Sequence, residues 1–113
     1  MYEVLEDLNK TSGITGSMLV ADDGIVIAAD LDSTNEDETV GALASSIISV
    51  VRKSMDKLGR EQFSQLTIEA DRSKMFLADA GVGMLVVTTE IQANIGLVRL
   101  EIKNAITKLQ TNH

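Results

Sequence analysis

The sequence predicts an α+β fold in which a five-stranded antiparallel sheet is covered by flanking helices. Three observations carry this reading. Five short stretches, residues 14–21, 25–29, 65–70, 74–79 and 82–89, are apolar or alternate apolar with polar residues, and Gly, Asp or Ser clusters separate them. Three other segments repeat apolar residues at the three-and-four spacing of a helix. The resulting order is helix, two strands, helix, three strands, helix, which groups the strands as a hairpin and a meander around one sheet.

The first helix is expected over residues 2–10, where Val4, Leu5 and Leu8 sit among charged neighbours and Thr11-Ser12-Gly13 stops the pattern. A hairpin follows, because Asp22-Asp23-Gly24 stands between two β-like runs and Asp-Gly supplies the positive φ angles of a tight turn. Ser33, Thr34 or Asn35 can cap a long helix over residues 36–58, with Glu36, Asp37 and Glu38 at its positive end. At 100° per residue, Val40, Leu43, Ala44, Ile47, Ile48, Val50, Val51, Met55 and Leu58 fall within an arc of about 160°, the expected packing face. Lys57 and Arg60 suit the negative end of that helix, which Gly59 ends.

In the meander, Leu66, Ile68 and Ala70 alternate with Thr67 and Glu69, as on a strand with one buried face. Gly83-Met84-Leu85-Val86-Val87 is apolar on both faces, so the last strand is expected to be central. The final helix runs from about Ala93 to Gln110, with Ile95, Val98, Ile102, Ala105, Ile106 and Leu109 on one stripe.

Composition limits the function. A chain of 113 residues is read as one domain, 1–113, with one core. No apolar run approaches the roughly 20 residues needed to span a bilayer, and the start, Met1 to Asp7, is acidic where a secretory signal is basic, so the expected location is cytoplasmic. The absence of cysteine removes disulfides, thiolate metal sites and thiol nucleophiles. A net charge of -7 opposes nucleic acid and anionic membranes, and only Tyr2, Phe63 and Phe76 could stack on bases.

Catalytic and cofactor signatures fail in turn. The single histidine is His113, at the chain end, and no phosphate-binding G-x-x-x-x-G-K-[ST] occurs. Gly81-Val82-Gly83 stands between two strands and reads as a turn. Asp30, Asp32 and Thr34 hold the first, third and fifth positions of a calcium loop, but Asn35 replaces its glycine and Gly41 its bidentate glutamate. No carboxylate pair stands out, so the sequence predicts neither an enzyme nor a metal or cofactor site.

What remains is the outer side of the long helix, where Ala42, Ser45, Ser46 and Ser49 are small and uncharged, followed by Arg52 and Lys53. Such a face is either a tolerant surface or a contact with a symmetry mate or partner protein. The strand 65–70 has no proline or bulge signal and could pair with a copy of itself.

Three features together resemble the roadblock family, the dynein light chain and GTPase-regulator domains that include bacterial gliding-motility regulators. They are Gly13-Ile14-Thr15-Gly16 before Leu19-Val20-Ala21-Asp22-Asp23-Gly24-Ile25-Val26-Ile27-Ala28, then the long helix of small and aliphatic residues, then Thr67-Ile68-Glu69-Ala70 with Val82 to Thr89. The resemblance implies a profilin-like sheet of order 2-1-5-4-3 and a homodimer in which third strands pair and second helices lie side by side. It would assign Leu66, Thr67, Ile68 and Glu69 to strand pairing, and place Ser45, Ser46, Ser49, Arg52 and Lys53 near the helix pair. It also implies a non-enzymatic regulator or scaffold for a small Ras-like GTPase, with a structural light-chain-type subunit as the alternative. A small-molecule sensor on a similar sheet would instead need a sizeable apolar pocket between sheet and helix.

Overall fold

The computed structural model describes residues 2–31, 37–59 and 64–111. The expected helix caps at 33–35, Arg60, Phe63 and His113 lie outside them. The elements are α1 (Tyr2–Asn9), β1 (Ile14–Val20), β2 (Val26–Leu31), α2 (Asp37–Gly59), β3 (Gln65–Glu69), β4 (Ser73–Asp79), β5 (Met84–Glu90) and α3 (Ile95–Thr111). The strands form one antiparallel sheet of order β2-β1-β5-β4-β3, as the sequence and its resemblance imply. β5 is central because Leu85, Val86 and Val87, fully buried, need cover on both faces.

Each sheet face has its own core. Leu19, Phe76, Ala78, Leu85 and Val87 pack with Val4, Leu5 and Leu8 of α1 and Val98, Ile102, Ala105 and Leu109 of α3. Met18, Val20, Leu77, Met84 and Val86 pack on the opposite face with Ala44 and Ile48 of α2. Alternation along β4 and β5 makes this possible, since Phe76 and Val87 serve one layer and Leu77 and Val86 the other.

A polar tie fixes α1 to the sheet. The fully buried Ser17 hydroxyl donates to Asn9 Oδ1 at 2.8 Å and approaches the Leu5 carbonyl at 3.3 Å. Asn9 Nδ2 in turn donates to the Asp30 carbonyl at 2.7 Å and its carboxylate at 2.9 Å. One side chain thus joins α1, β1 and β2, and it leaves no buried polar atom of Ser17 without a partner.

Several boundaries differ from the sequence reading for local reasons. β5 starts at Met84, two residues later than expected, because residues 80–83 form a turn closed by Ala80 N–H donating to the Gly83 carbonyl at 2.8 Å. α3 starts at Ile95 because Asn94 is its cap, its Oδ1 accepting from Leu97 N–H at 3.0 Å. Ala70, expected on the buried side of β3, lies exposed just past the strand.

The expected packing arc of α2 is the main correction. Ala44 and Ile48 are buried, but Leu43, Val50 and Leu58 are 59%, 64% and 82% exposed. The helix rests on β1 and β2, so among the described side chains only the edge of its apolar arc nearest those strands, Ala44 and Ile48, reaches the core.

Candidate interaction surface

The small residues of α2 have an explanation within the chain. A Cβ on Gly24, in the β1–β2 turn, would stand 3.4 Å from Ser45 Cβ and 3.7 Å from Ala42 Cα. One on Gly41 would stand 3.1 Å from the Gly24 carbonyl oxygen and from Val26 Cγ2. Helix and turn therefore approach backbone to backbone, which bulkier side chains at these positions would prevent. Ser45 Oγ also donates to the Asp22 carbonyl at 3.0 Å. Arg52 completes the clasp, reaching Asp22 at 3.4 Å and Asp79 at 3.6 Å, and at its exposure such pairs contribute at most about 1 kcal/mol each.

Of the residues expected at a dimer contact, Ser45 and Arg52 are thus engaged by the chain's own loops. Ala42, Ser46, Ser49 and Lys53 are exposed on the far side of α2. Leu66, Thr67 and Ile68 are half-buried on the edge strand β3, and Glu69 is exposed. Thr67 and Glu69 pair across to Phe76 and Lys74 on one sheet face, whereas Leu66 and Ile68 pair to Leu77 and Met75 on the other. The structure therefore brings only Leu66 and Ile68 to the sheet face that carries α2.

On that face α2 covers the β1–β2 half and leaves the β3–β4 half open. Between them runs an apolar groove of about 280 Å³ lined by Leu43, Ala44, Ile47, Ile68, Ala70, Ser73 and Met75. Its helical wall continues along α2 as an exposed apolar stripe through Leu43, Val50 and Leu58. Sequence reasoning placed this stripe in the core, because apolar periodicity does not distinguish residues covered by the chain's own sheet from those left uncovered.

The groove is at the lower limit of small-ligand sites, and among the described residues that line it Ser73 has the one polar side chain, too few to orient a small molecule. Among the described residues no group of three or more His, Asp or Glu side chains is arranged to hold a metal, and no helix is long and apolar enough to cross a membrane.

Comparison with known proteins agrees with the fold. The Roadblock/LC7 domain family matches residues 1–89. Two uncharacterized proteins of Methanocaldococcus jannaschii are each 41% identical over 107 residues, which is 95% of this chain and 94% of theirs. A Roadblock/LC7 domain from Streptomyces avermitilis superposes with a TM-score of 0.92 at 21% identity, covering 98% of this chain and 95% of that one. Myxococcus xanthus MglB superposes with a TM-score of 0.91 at 22% identity, covering 97% and 91%. With its five strands in the order 2-1-5-4-3, one helix on one face and two on the other, the chain belongs to the Roadblock/LC7 domain family.

Proposed function

We propose that the chain is a non-enzymatic homodimeric regulator or scaffold that binds a small Ras-like GTPase in the cytoplasm. The observation that carries the reading is the half-covered sheet face, where an apolar stripe on α2 borders an open apolar groove and a regular edge strand. A second copy related by a two-fold axis offers what this face lacks: its α2 stripe covers the β3–β4 half, and its β3 extends the sheet. Another solved structure with this fold, at 24% identity, is described as MglB with a tetrameric arrangement, which supports self-association as a property of such folds.

In this dimer the contact runs through Leu43, Val50 and Leu58 with Leu66, Thr67, Ile68 and Glu69. Ala42, Ser46, Ser49 and Lys53 flank it and form a joint helical surface, while Ser45 and Arg52 hold each α2 on its own hairpin. The surface contributes no nucleotide site. It acts by binding one arrangement of the GTPase switch segments more tightly than the other, which shifts their population and with it hydrolysis or exchange.

The test is a pull-down with a Ras-like GTPase from the same genome, loaded in turn with GDP and with a GTP analogue. Retention that depends on the nucleotide is the expected result. Absence of binding in both states would overturn the GTPase reading in favour of a light-chain-type structural subunit.

A further inference from the structure

The opposite sheet face is also incompletely covered. α1 rests on β1, β2 and α3, and α3 lies beside it toward β4, so among the described residues no helix covers β3 on this side. Between α3 and the β3–β4 edge runs a second groove of about 550 Å³. Ala78, Ile102 and Ile106 give it an apolar floor, and Arg99 and Lys103, on successive turns of α3, stand along its wall. Both are exposed, and among the described residues neither side chain makes an ion pair or a hydrogen bond. Among the described residues that line the groove the one carboxylate, Asp79, is already engaged by Arg52 and by Gly81 N–H. In a chain of net charge -7, two cations with no partner among the described residues, beside one apolar trough, mark an oppositely charged partner.

We infer that this trough docks an acidic amphipathic helix of a partner protein. A helix laid there packs on α3 at the usual 8–10 Å between axes and places apolar side chains on Ile102, Ile106 and Ala78. Its flanking carboxylates meet Arg99 and Lys103. With two cations among its described residues, the site has too little positive charge for a nucleic acid backbone. The trough lies on the face opposite α2, so its occupant does not compete with the contact through Val50.

The test uses a displayed library of amphipathic helices whose flanking positions are randomised among Glu, Gln and Lys. It is selected on the full chain and, in parallel, on the Arg99→Glu/Lys103→Glu variant, with unchanged thermal melting as the control for folding. Binders from the wild-type chain are expected to carry Glu beside an apolar stripe, to weaken about tenfold or more against the double variant, and to keep their affinity for Val50→Glu. The variant is expected to select Lys at the same positions. The inference is overturned if no helix is enriched, if wild-type binders are neutral or basic, or if their binding is lost to Val50→Glu and kept by the double variant. Binding of an oligonucleotide with the same sensitivity to the double variant, in place of the acidic helices, would also overturn it.

Discussion

Val50→Glu tests the α2 stripe at its centre. Full burial of a Val or Leu side chain contributes about 1.5–3 kcal/mol. At the exposures found, covering what remains of Val50 yields ~1–2 kcal/mol, and covering Leu43, Val50 and Leu58 together ~3–6 kcal/mol. A two-fold contact doubles this to ~6–12 kcal/mol, the same size as the ~4–15 kcal/mol that association costs. The proposed dimer therefore has little surplus, and a single charge on the stripe should decide its fate. Val50→Glu removes ~2–4 kcal/mol per dimer, a ~30- to 700-fold weakening, before the cost of desolvating two carboxylates is added. In the monomer Val50 is mostly in water, so the melting temperature should stay close to that of the parent when both are monomeric. Light scattering across a concentration series reads the outcome as a mass near 12.2 kDa for the variant and twice that for the parent. If Val50→Glu stays as dimeric as the parent while Ser46→Arg dissociates, the contact lies on the small-residue side of α2 and not on the exposed apolar stripe.

Other predictions concern the tie, the clasp and the single tyrosine. Asn9→Ala takes a donor from the Asp30 carbonyl and leaves the Ser17 hydroxyl only its longer approach to the Leu5 carbonyl, and should cost about 1–3 kcal/mol in a denaturant titration. Gly41→Ala, although alanine favours helices, should destabilise, because the added Cβ meets the backbone oxygen of Gly24 at 3.1 Å; Gly59→Ala, with nothing within 4 Å, should not. The Asp30 carboxylate beside Tyr2 raises its phenol above 10.0, with lesser contributions from desolvation and Glu6, and Asp30→Asn should bring it down in an absorbance titration. The neutral phenol is the form the folded state favours, so the Tyr2 contribution is present below the unfolded value and is lost as pH rises through the folded one.

The strands and helices were legible because periodicity reports burial, and β5 could be placed at the centre because its apolarity on both faces has no other use. The hairpin was legible from Asp23-Gly24 alone, and Gly24 indeed takes a φ of +92°. The site was only half legible. Ala42 and Ser45 were recognised as small for close approach, but their nearest neighbour is the Gly24 turn, which a helical wheel does not contain. Leu43, Val50 and Leu58 carry the same apolar signature as Ala44 and Ile48, and only the position of α2 over β1 and β2 separates them. The Asn9, Ser17 and Asp30 tie spans 21 positions and left no local pattern to find. That Arg99 and Lys103 have no side-chain partner among the described residues likewise depends on where the acidic residues fall in space.

The most direct measurement is light scattering on a chromatographed mixture of the chain with a Ras-like GTPase from the same genome, loaded with GDP or with a GTP analogue. The account predicts a shared peak in one nucleotide state whose mass contains two copies of the 12.2 kDa chain. Separate elution of the GTPase and a 12.2 kDa monomer in both states would contradict it.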